Sequence, residues 1–122
     1  MFRNALTVTA IIVTSTALST GLAFAGTDAF STTGQASARF ISYGDKFEVC
    51  DLASDGATAY VQYEYVRING TLQKGEHRNP GNAGSCHTFD HNFGEGRVVK
   101  FRACEDHTAW PDHCDSWKKG IA

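Results

Sequence analysis

Polar and apolar residues alternate along much of this chain, and the alternation comes in short runs. Between residues 57 and 68, Ala59, Val61, Tyr63 and Tyr65 fall on one side and Tyr60, Gln62, Glu64 and Val66 on the other. A period of two over this length predicts a strand with one face turned to a core, and its β-branched and aromatic residues suit a pleated, half-buried surface. The same period runs through residues 46–52, where Phe47 and Val49 oppose Glu48 and Cys50. It returns in residues 86–93, where Phe89 and Phe93 share their parity with His87 and His91, and in residues 97–104, where Val99, Phe101 and Ala103 oppose Val98, Lys100, Arg102 and Cys104. Residues 38–43 read as a short edge strand and residues 116–121 as a last short one. Asp55-Gly56 and Gly94-Glu95-Gly96 punctuate the runs as turns. Asn69-Gly70 is a two-residue hairpin signal and predicts a return strand through Leu72. Residues 74–85, KGEHRNPGNAGS, are rich in Gly and Asn and read as a loop.

The pattern therefore predicts six or seven strands separated by turns, with no internal repeat and no useful stretch of helical period. Turn signals at intervals of about 8 to 12 residues are those of an all-β, small antiparallel immunoglobulin-like β-sandwich. A small up-and-down barrel is the alternative.

The first 25 residues follow a different logic. Arg3, an uncharged run from Ala5 to Leu22 and the small-x-small end Ala23-Phe24-Ala25 have the form of a secretory signal peptide. Residues 1–25 are accordingly expected to be cleaved, residues 26–37 to form a flexible N-terminal segment poor in apolar surface, and residues 38–122 to form the sandwich. A secreted, extracellular protein without a membrane anchor follows, and a monomer is expected. Taking Arg3 from the 11 basic residues leaves 10 against 13 acidic ones, a net charge of −3 with the signs interleaved. No stripe is present to neutralise phosphates, so nucleic acid is not an expected partner.

Export gives the four cysteines, Cys50, Cys86, Cys104 and Cys114, a reading as two disulfides. Their intervals are too long for a zinc knuckle. If Phe47 and Val49 point inward, Cys50 points outward, and the same parity puts Cys86 and Cys104 on outer faces. A bridge across the two sheets would need inward cysteines. In a sandwich of this topology the second and fifth strands are neighbours in one sheet, and the sixth and seventh in the other. Pairing of Cys50 with Cys86 and of Cys104 with Cys114 is the result. Parity also sets Gln62 and Glu64 beside Lys100 and Arg102 on an outer face, where ion pairs are expected.

The segments GDKFEVCD, DGATAYVQY, NG, GNAGSC, GEGRVVKFRACED and the closing CDSW, spanning about Gly44 to Trp117, resemble small secreted actinobacterial proteins of unknown function. Their motifs are turns, core positions and cysteines. The resemblance thus implies a disulfide-bonded sandwich outside the cell and carries over no catalytic residue.

Candidate chemistry is sparse. His87 and His91, four apart on a strand, would stand about 13 Å from one another and could not chelate one ion by themselves. Ser85, Cys86 and His87 are adjacent, so on a strand they point apart, and Cys86 is expected to be oxidised. There is no G-x-S-x-G elbow, and Glu105 with Asp106 cannot flank a sugar from two sides. No catalytic residue, cofactor or metal is expected. Residues 97–117 hold half of the cysteines and both tryptophans. His107, Trp110, Asp112, His113 and Trp117 lie on or just after the loop at residues 105–113, and a rigid aromatic loop is a common contact patch. The expected function is a secreted, non-enzymatic module binding an extracellular protein or glycan. The alternatives are an inhibitor of a secreted hydrolase and, after it, a small metal-dependent or hydrolytic enzyme. Asn69-Gly70-Thr71 matches a glycosylation sequon and is read as a turn.

Overall fold

A computed structural model describes residues 26–122; the expected signal peptide at residues 1–25 lies outside the described residues. The described residues are all-β, with nine strands: β1 (Ala29–Thr32), β2 (Ala36–Ile41), β3 (Lys46–Asp51), β4 (Thr58–Val66), β5 (Leu72–Arg78), β6 (Cys86–Asp90), β7 (Val98–Asp106), β8 (His113–Cys114) and β9 (Lys118–Ile121). They form two antiparallel sheets. One runs β1-β2-β3-β6; the other runs β5-β4-β7-β8, with β9 also paired to β7. The fold is a β-sandwich.

Alternation builds the core as expected. Phe40 of β2, Phe47 and Val49 of β3, Val61 of β4 and Val99 and Phe101 of β7 are all fully buried between the sheets. Phe40 and Phe47 pack with ring centroids 5.4 Å apart, and Phe47 and Phe101 at 5.5 Å. Tilted rings at this spacing hold their quadrupoles favourably, adding about 1 kcal/mol per pair to what burial supplies.

Four expectations about elements need correction. Nine strands are present rather than six or seven, because both ends of the domain and part of the expected loop are paired. The segment at residues 26–37, expected to be flexible, contributes β1, and Thr27 and Ile121 exchange backbone hydrogen bonds of 2.9 and 3.0 Å. Its Ser31 is completely buried: the hydroxyl accepts from the Ala103 N–H at 2.8 Å and donates to Asp115 at 2.8 Å. A polar segment can thus order itself through hydrogen bonds to the other sheet, which composition alone does not reveal. Residues 74–78, expected as loop, belong to β5. Its inward positions are Gln73, Gly75 and His77, so no apolar alternation marked it. The hairpin before it closes through the three residues Ile68, Asn69 and Gly70, with the Arg67 N–H donating to the Thr71 carbonyl at 2.8 Å and Gly70 at φ 84°. That is a type I turn with a left-handed glycine rather than a two-residue turn.

Both disulfides have the expected partners, Cys50–Cys86 between β3 and β6 and Cys104–Cys114 between β7 and β8. Each joins cross-strand neighbours within one sheet, and the cysteines stand on the faces away from the core. Those faces are not open water at these points, however. Cys104 is wholly buried and Cys50 nearly so, because Tyr60 and Ser37, their neighbours on the adjoining strands, are themselves covered.

Candidate binding face

The outer face of the second sheet carries many polar side chains, and strand register arranges them in rows. Across β5, β4 and β7 the first row is Arg78, Tyr60 and Cys104; the second is Glu76, Gln62 and Arg102; the third is Lys74, Glu64 and Lys100. Opposite charges meet within the rows. Glu64 lies 3.6 Å from Lys74 and 3.9 Å from Lys100, and Arg102 Nε donates to Gln62 Oε1 at 2.8 Å. Ion pairs this exposed are worth less than about 1 kcal/mol each; their effect is to hold planar groups in fixed orientations.

Trp117, between β8 and β9, folds back over this face. Its ring lies 4.3 Å from the Arg102 guanidinium and 4.6 Å from the Lys100 ammonium, an arrangement drawn together by the ring quadrupole. Beside it a groove of about 480 Å³ opens over Gln62, Glu64, Lys74, Glu76, Arg102 and Trp117.

The first row is sealed by the 105–113 loop. The Tyr60 hydroxyl donates to Asp112, and the Arg78 guanidinium packs over the Tyr60 ring at 4.7 Å while binding Asp106 at 2.5 Å. Burial, reinforced by the Asp112 carboxylate, holds the Tyr60 phenol well above its usual pKa, and the Asp106 hydrogen bond raises that of Arg78. Both groups keep their neutral pH charge state throughout the physiological range, so this corner acts as a clamp.

The five loop residues expected to form one patch are divided by the structure. Asp112 and Trp117 join the outer face. His107 and Trp110 line a separate hollow of about 140 Å³ together with Asp55 and Ala57, His107 Nε2 lying 3.8 Å from the buried Glu105. Trp110 is 68% exposed and His113 stands in solvent. Lys74 and Glu76 reach this face because residues 74–78 are strand and not the expected loop, and no apolar alternation in the sequence marks them. Gln62, Glu64, Lys100 and Arg102 were placed on this face by parity, and the expected Glu64–Lys100 ion pair is present. Cys86 is oxidised and offers no thiolate beside His87.

Two disulfides indicate an oxidising, extracellular environment, and among the described residues no helix is long and apolar enough to cross a membrane. No protein-family model, curated protein or solved structure matches the chain.

Proposed function

We propose that the protein is a secreted, non-enzymatic binding module that engages an extracellular glycan on the outer face of its second sheet. The observation that carries this reading is Trp117, fixed beside a groove whose lining includes the planar hydrogen-bonding groups of Gln62, Glu64, Glu76 and Arg102. Sugars present C–H faces that stack on an aromatic ring and hydroxyls that donate to carboxylate and amide oxygens and accept from amide and guanidinium N–H groups. Strands β4, β5 and β7 hold these groups without a loop rearrangement, so little ordering entropy opposes binding. The two disulfides support the same compartment.

The test is affinity electrophoresis against a panel of soluble polysaccharides. The intact protein is expected to be retarded by at least one of them, and Trp117→Ala to lose at least tenfold in affinity while Trp110→Ala keeps it. Equal retardation of the Trp117 variant, or none with any polysaccharide, sinks the glycan reading.

The largely exposed Trp110, on a loop closed by the Cys104–Cys114 bridge, favours a second reading: an inhibitor that inserts this loop into a secreted hydrolase. That reading reverses the mutational pattern, with Trp110→Ala abolishing a one-to-one complex and Trp117→Ala sparing it.

A further inference from the structure

On the side of the sandwich away from β8 and β9, edge strand β5 of one sheet meets edge strand β6 of the other. Two histidines meet there. His77 projects inward from β5 opposite Val61, and His91 follows β6, its backbone N–H donating to the Asp45 carbonyl at 2.9 Å. Their Nε2 atoms approach to 2.5 Å, with ring centroids 4.7 Å apart. Neither ring is free to turn away. His77 stacks on Tyr63 at 5.5 Å and on Phe89 at 4.5 Å, while His91 stacks on Phe93 at 4.7 Å and meets the edges of Tyr63 and Phe47.

We propose that His77 and His91 form a two-histidine site for a divalent transition-metal ion of the zinc or copper(II) class, with water completing its coordination. Two imidazole nitrogens brought face to face are donors of the kind such ions select. Tetrahedral zinc with Zn–N bonds of about 2.0–2.1 Å needs the two nitrogens about 3.3 Å apart, so the rings would part by less than about 1 Å. Both residues are only half-buried, which leaves a path for the ion and room for water. Burial lowers the pKa of both rings, which favours the neutral imidazole that metal binding requires. The aromatic walls fix ring orientation, a role hydrogen-bonded neighbours play in many metal sites. Among the described residues the one group of three or more donors with the spacing of a metal site, Glu48 with Cys50 and Cys86, has its sulfurs bonded to each other.

The experiment is calorimetric titration of the disulfide-bonded protein with zinc chloride, and separately copper(II) chloride, in a non-chelating buffer at neutral pH. One equivalent is expected to bind and to raise the thermal midpoint. His77→Phe and His91→Phe should each weaken binding more than tenfold and erase that rise, whereas His87→Ala and His113→Ala should do neither. Absence of binding to the intact protein, or undiminished binding to the His77→Phe/His91→Phe double variant, overturns the site. Should a phenylalanine variant fail to unfold cooperatively in chelator, imidazole nitrogen resonances of the intact protein decide instead. Metal-dependent shifts at His77 and His91 support the site, and shifts confined to other histidines overturn it.

Discussion

Gly120 shows how a single hydrogen-for-methyl exchange bears on the core. It lies opposite Val99 at the β7–β9 pairing, and a Cβ placed there would stand 2.3 Å from Cδ1 of the fully buried Phe40. The Phe40 ring cannot retreat, because Phe47, Phe93 and Phe101 surround it. Gly120→Ala is therefore expected to destabilise the domain by about 1–3 kcal/mol through overpacking, read as a lower urea midpoint at unchanged slope. Asp115 is a second residue whose importance is tertiary. Burial alone would push its pKa up, but the Ser31 hydroxyl, the Ser116 and Thr32 backbone N–H groups and Lys118 together hold it below the ordinary value of 3.8. A depressed carboxylate pKa means that the unfolded chain binds the proton first as pH falls. The contribution of Asp115 is then complete above its unfolded pKa and fades as pH drops through the folded one. Asp115→Ala should cost about 1–3 kcal/mol near pH 7, and the gap between variant and parent in chemical denaturation should narrow below about pH 3.8. A gap that stayed constant down to pH 2 would show that the carboxylate charge is not what Ser31 requires.

At the scale of elements, β7 was the easiest to foresee and β5 the hardest. Val99, Phe101 and Ala103 alternate cleanly because β7 is flanked by β4 on one side and by β8 and β9 on the other, with its inner face closed by the opposite sheet. Edge strand β5 needs no such apolar set. At Gly75 the inner face is covered by the Tyr63 ring, whose hydroxyl oxygen would lie 2.5 Å from an added Cβ, and at position 77 a histidine stacks in place of an aliphatic residue. An aromatic laid over a strand glycine restores the buried surface that the glycine lacks. The loop at residues 105–113 is likewise an element only because the bridge closes it. Replacing Cys104 and Cys114 by alanine removes a 10-residue cross-link, expected to cost about 3 kcal/mol by loop entropy. Hydrogen exchange of residues 107–113 should quicken in that variant while β4 and β5 stay protected. Uniform quickening over the whole sheet would mean that the bridge supports the sheet rather than the loop.

For the whole molecule, neither disulfide crosses between the sheets. One sheet is held to the other by the aromatic core and by polar ties, among them Ser31 to Ala103 and Asp115, Thr27 to Ile121 and the Asn79 amide to the Val49 carbonyl. The Cys50–Cys86 bridge spans 36 residues and is worth about 4 kcal/mol on the same model. The two bridges lie in different sheets and share no partner, so their losses should add, to about 7 kcal/mol. That sum is comparable to the entire stability of a domain of this size. Each paired-alanine variant should fold, and the variant lacking all four cysteines should not, as judged by the presence of a cooperative thermal transition.

Alternation and turn residues were enough to determine an all-β chain, and side-chain parity the outward facing of three cysteines, because a two-residue period is imposed by the local chain. The choice of sandwich over barrel and the pairing of the cysteines also needed the neighbour relations of the strands, which the structure bears out. Which loop residues share a surface depends on distances between segments far apart in the chain, and only the tertiary structure decided it. Trp117 came to the outer face through its stacking on Lys100 and Arg102, Trp110 went to a separate hollow, and His77 met His91 across two sheet edges. None of those meetings leaves a period in the sequence, because each is made by side chains that the strands merely carry to the same place.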